Sequence, residues 1–157
     1  MNELAHYRDL FAYDRWANRR ALDSIRVFGE EGDPDAVRLL AHIIGAQRVW
    51  ITRLTGGDSS LLDSWPGLDI DACAVGVEMM YERWIRYLED MTGEKFGEMI
   101  AYRNMKGIAF EDSARDILTQ VVNHGTYHRA QIASHVRAKE KTPAVTDYIA
   151  YVHDVRA

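Results

Sequence analysis

All three prolines of this chain, Pro34, Pro66 and Pro143, fall between stretches whose apolar residues return at helical spacing. Glycines reinforce the same breaks at Gly29 and Gly32 and again at Gly56-Gly57. Punctuation of this kind cuts a chain into amphipathic helices of similar length, which bury their apolar faces on one another. The first block runs from about Asn2 to Val27 and carries Leu10, Tyr13, Ala17 and Ile25 along one stripe. The second opens with Asp33 as cap and Pro34 in the first helical position, where a missing N–H costs nothing. Its buried face is Leu39, Ile43, Trp50 and Leu54, and Gly56-Gly57 stops it. After a long loop through Ser64-Trp65-Pro66-Gly67, a third helix from about Asp69 to Met91 aligns Val77, Met80, Trp84, Tyr87 and Met91.

Residues 96–111 break this rhythm. Ile100 and Tyr102 alternate with polar or small neighbours, and Asn104-Met105-Lys106-Gly107 is turn material, so a β-hairpin is expected. A fourth long helix follows over 113–138. A short terminal helix is expected to begin near Thr142-Pro143, with Tyr148 and Tyr151 packing back on the bundle. The predicted fold is all-α: one domain over 1–157, an up-down four-helix bundle with a short β-hairpin insertion before the last long helix and a short C-terminal helix.

At 157 residues the chain is long enough to bury one substantial core without staples. Its single cysteine, Cys73, can build neither a disulfide framework nor a thiolate zinc cluster. The first residues, MNELAHYRDLFAYDRW, are charged throughout and show no secretory signal, and no apolar run approaches the ~20 residues of a membrane span. A cytoplasmic protein with no membrane partner is expected. The net charge of −5 speaks against a nucleic-acid binder, which would present a basic face to phosphates.

The histidines carry the chemistry. His124 and His128 lie one helical turn apart in VVNHGTYHRAQI, a spacing that puts both rings on one face. With six histidines in the chain such a pair arises readily by chance, so its surroundings decide its weight. Around the fourth helix Ile117, Val121, His124, His128 and His135 fall within a narrow arc, which aims the pair into the bundle. Buried imidazoles need partners for both nitrogens, and either neighbouring side chains or a metal ion can supply them. His42, at the edge of the apolar stripe in LLAHIIGAQRVW, is placed to complete such a site from the second helix, though an ordinary boundary histidine reads the same way. His135 rises about 10 Å along the axis from His128, beyond the reach of one ion, and is read as structural. His6 and His153 have no metal-spaced partner. No HExxH, Walker loop or GxGxxG is present, and Cys73 has no evident base beside it.

The stretches LLAHIIGAQRVWITRL, YRNMKGIAFEDSARDILTQVVNHGTYHRAQI and PAVTDYIAYV resemble the DinB family, four-helix-bundle proteins of the DinB/YfiT-like superfamily. NHGTYHRAQI is the most specific part, with Ala130 where the family string usually has glycine. The resemblance spans nearly the whole chain. It implies a divalent metal ion, zinc or nickel in most relatives, on three histidines that map onto His42, His124 and His128. Gln47 stands where many relatives carry a glutamate. The resemblance also implies a homodimer, for which the third helix with Trp84, Tyr87 and Met91 could supply either core or interface.

Three neutral imidazoles leave at least one coordination position open, the arrangement of catalytic metal sites. That position can hold water with its pKa lowered towards 7, giving a hydrolase, or a thiol that the metal deprotonates, giving a thiol transferase. Superfamily members are known or proposed in both roles. With no positioned carboxylate base in view, the expected function is a metal-dependent enzyme activating a low-molecular-weight thiol for S-transfer to a small electrophile. A hydrolase, or a non-catalytic metal-binding stress-response protein, is the alternative. Asp14, Gln47, Asn123 and Gln131 are possible supports around the ligands, with structural or surface roles the plainer reading of each.

Overall fold

The computed structural model describes residues 2–156 of the expected 1–157 domain, so Met1 and Ala157 lie outside the described residues. Four long helices form its body: α1 (Glu3–Arg26), α2 (Pro34–Leu54), α3 (Ile70–Glu89) and, later in the chain, α5 (Ala114–Ala138). Between α3 and α5 lie a one-turn helix α4 (Gly93–Phe96) and the antiparallel strands β1 (Met99–Arg103) and β2 (Ala109–Ser113), and α6 (Tyr148–Arg156) closes the chain. Each long helix opens on a side-chain cap that satisfies an orphan amide: Asn2 for α1, Asp33 for α2, Asp69 for α3 and Ser113 for α5.

The four-helix bundle, the hairpin and the short terminal helix are as expected, but the strict up-down alternation is not, since α2 and α3 run the same way. Side-chain pairs also fix the helix directions. Arg15 meets Glu78 and Arg26 meets Asp71, so α1 and α3 are antiparallel. Tyr7 meets Thr119 and Asp14 meets Arg129, so α1 and α5 run the same way. Gln47 meets Trp84 while Cys73 faces the Val37 carbonyl, so α2 and α3 are also parallel. Asp33 pairs with Lys139 near the start of α2 and the end of α5, while His42 lies against His124. These two helices are therefore antiparallel. Round the bundle the order is α1, α5, α2, α3.

That order explains the long loop. Because α2 and α3 are parallel neighbours, the 55–69 connection must travel back along a helix about 30 Å long, within the ~50 Å that such a segment can span. On the way it presses Ser64 and Pro66 against the middle of α2, at Gly45.

Three local details differ from the sequence reading. Phe96 is not in the hairpin; it belongs to α4 and is buried against Tyr7, their rings stacked at 5.4 Å. The terminal helix begins at Tyr148 rather than near Thr142-Pro143, because the chain before it gives its carbonyls to α1. Val145 O accepts from Arg20 Nε and Thr146 O from the Tyr13 hydroxyl, which ties this segment to α1 before the helix starts. The third helix ends at Glu89 rather than Met91; Trp84 on α3 and Met91 just after it are core residues, with Trp84 stacked on Phe11 at 4.6 Å. Among the described residues no helix is long and apolar enough to cross a membrane.

Candidate metal centre

The antiparallel contact of α2 and α5 brings His42, His124 and His128 together. One ring nitrogen from each lies within 4.8 Å of the others, and the Nε2 atoms of His124 and His128 are 3.1 Å apart. Three nitrogens bound tetrahedrally at zinc distances are about 3.3 Å apart, so the cluster has the dimensions of a ligand set.

Two of the three rings are held from behind. His42 Nδ1 donates to the Ser64 carbonyl at 2.6 Å, and His128 Nδ1 donates to Gln131 Oε1 at 2.7 Å. Neither acceptor carries a proton of its own, so both imidazoles hold theirs on Nδ1 and keep the Nε2 lone pair for the shared space. Trp65 adds a flat wall, its indole stacked on the His42 ring at 3.7 Å and 8°.

Burial favours the neutral form of His124 and His42. Burial pushes the His124 pKa down to about 4, with His128 and His42 adding to the effect. Burial also lowers that of His42, although its hydrogen bond to Ser64 pulls the other way. Neutral imidazole is the ligand form, and ring nitrogens this close can share either a proton or an electron-pair acceptor such as a metal ion. The donor set fits a divalent cation. No carboxylate joins this cluster among the described residues, so a bound ion would keep its full charge.

The remaining candidates separate cleanly. Gln131 supports the His128 ring. Asp14 and Gln47 instead lie in a buried network: Gln47 donates to Asp14 Oδ2 at 2.7 Å and accepts from Trp84 Nε1 at 3.1 Å. Asn123 is on the surface. His135 is outside the triad, in a second group with Asp33 and Asp35. There the buried Asp33 is already committed, capping α2 through Oδ1 and pairing with Lys139 through Oδ2. The Ser64 carbonyl and Trp65 went unrecognised as part of the site, since a loop carbonyl leaves no mark in a sequence. An open cavity of about 440 Å³ reaches the cluster at His128, with Trp65, Tyr127, Gln131 and Arg38 in its walls.

Gly45 is what lets the loop come so close. A Cβ there would stand 2.5 Å from Pro66 Cδ and 2.7 Å from the Ser64 oxygen. Gly45→Ala is expected to lower divalent-metal affinity by about 10–100-fold, the usual cost of losing a ligand's outer support. Helix propensity alone would favour alanine by about 1 kcal/mol, but the clash is with backbone, which cannot rotate away. Competition titration against a chelator measures it, and unchanged affinity would detach the loop from the site.

A family model described as the DinB family matches residues 1–155 of the chain. Protein DinB of Bacillus subtilis (strain 168) is 24% identical over 159 residues, covering 91% of this chain and 91% of that one. The crystal structure of a DinB-like protein from Bacillus cereus ATCC 10987 superposes with a TM-score of 0.58 at 17% identity, covering 85% of this chain and 91% of its own. The latter likeness bears on the fold.

Proposed function

The chain belongs to the DinB family, and from that premise we propose that it is a divalent-metal enzyme, using zinc or nickel, that activates a small thiol for transfer to an electrophile. His42, His124 and His128 are the ligands in this reading. The observation that carries it is three clustered imidazoles with no carboxylate among the described residues joining them, opening at His128 into a cavity. A bound ion there would supply Lewis acidity, which lowers the pKa of a coordinated thiol and removes the need for a protein base.

The chain's own residues do the rest. Ser64 and Gln131 hold the His42 and His128 rings in their ligand tautomers, and Trp65 and Tyr127 offer apolar walls to the reactants. In the transfer, sulfur forms one bond to the electrophilic carbon, the leaving group departs with its electron pair, and the thiol proton passes to solvent. A hydrolase would need a base beside the attacking water. Asp35 is the one carboxylate lining the cavity, and it groups with Asp33 and His135 away from the triad.

Cobalt-loaded protein titrated with cysteine, glutathione, bacillithiol and mycothiol is expected to develop a sulfur-to-cobalt charge-transfer band with at least one of them. No band with any thiol, together with metal-dependent turnover of an ester or amide, would establish the hydrolase instead.

A further inference from the structure

The cavity that reaches His128 contains a cation, Arg38, that no described carboxylate holds in an ion pair. Arg38 is exposed on α2, and among the described residues no carboxylate pairs with it. Its guanidinium carbon lies 4.5 Å from the centre of the Trp65 ring, the same indole that stacks on His42. An arginine resting on an aromatic face has its side chain ordered while its N–H groups stay available, which suits it to receive a carboxylate.

Position along α2 decides which end of a ligand it meets. Arg38 is one turn, about 6 Å, from His42, whereas Asp35 is two turns, about 10 Å, away. Asp35 is also drawn into the group with Asp33 and His135. A ligand whose sulfur reaches the triad therefore meets the positive charge first and the negative one only farther out.

We propose that Arg38, steadied by Trp65, selects thiols that carry a carboxylate a few bonds from sulfur. This rests on the thiol reading of the site, and it names the class of thiol. The test uses the cobalt-loaded full chain with 3-mercaptopropionate and its neutral counterpart 2-mercaptoethanol, read by the charge-transfer band and by Trp65 fluorescence taken as the difference from Trp65→Phe.

Wild type is expected to bind the acidic thiol about tenfold more tightly than the neutral one, the scale of a charge-assisted contact to a carboxylate. Arg38→Gln should remove that preference and leave 2-mercaptoethanol affinity unchanged; Arg38→Lys should retain part of it. The preference should shrink as salt is raised. Equal affinity for both thiols in wild type, or an equal loss for both in Arg38→Gln, overturns the proposal. If neither thiol produces a band, the thiol reading falls. Trp65 quenching by the acid that still requires Arg38 would then uphold Arg38 as a carboxylate site, and absent quenching would overturn it as well.

Discussion

His42→Ala, His124→Ala and His128→Ala are each expected to take the purified, untagged protein from about one divalent ion per chain to almost none. Each removes one of the three imidazoles proposed as ligands, and among the described residues no carboxylate lies in the cluster to take its place. His135→Ala is expected to keep the ion, since His135 belongs to a different group with Asp33 and Asp35. Metal analysis after dialysis reads the result, with circular dichroism to show that each variant remains helical. The four long helices bury an extensive apolar core that needs no ion to form, so the apo protein should stay folded. Full occupancy in His42→Ala would dissolve the assignment to two helices, and loss of metal in His135→Ala would move the site.

The contrast between these histidines shows what was legible in the sequence. The pair at 124 and 128 could be read from spacing, because one helical turn leaves little choice of face. Periodicity alone left His42 at the edge of a stripe, and the family resemblance singled it out. What no periodicity could supply was the helix directions. Two antiparallel helices joined by a short turn would have left residues 55–69 free of the site. Because α2 and α3 are parallel, this segment runs back beside α2, where Ser64 and Trp65 meet His42. Gly45 was the available signal: a glycine inside a helix, at a cost of about 1 kcal/mol, marks a close approach by something else.

A second signal lay on α1. Asp14 and Asn18 follow the same helical stripe as Ala17, Ala21 and Ile25, where a core helix has no place for polar groups unless they are partnered. Their partner is Arg129, the residue after His128. Arg129 Nη1 donates to Asp14 Oδ1 at 2.6 Å and to Asn18 Oδ1 at 2.8 Å, and both charged side chains are almost wholly buried. Gly125 makes room, since a Cβ there would stand 2.6 Å from Asp14 Oδ1. With Gln47 and Trp84 the network joins all four long helices. It also ties α5 to α1 at Arg129, the residue next to His128.

Asp14→Ala is accordingly expected to cost about 3–5 kcal/mol, because it leaves the Arg129 charge buried without a counterion. In a domain of this size that corresponds to a fall in Tm of about 6–20 °C. Arg129→Met on its own should be comparably damaging, now with the carboxylate stranded. Replacing both, as Asp14→Leu with Arg129→Met, should recover much of the loss, since neither charge then has to be stripped of water. Recovery should be incomplete, for Gln47 Nε2 and Asn18 Nδ2 both donate to Asp14 Oδ2 and would lose their acceptor. Urea unfolding of the four proteins gives the coupling between the two sites directly. A single-variant loss below about 1 kcal/mol would mean that the pair is not closed to water.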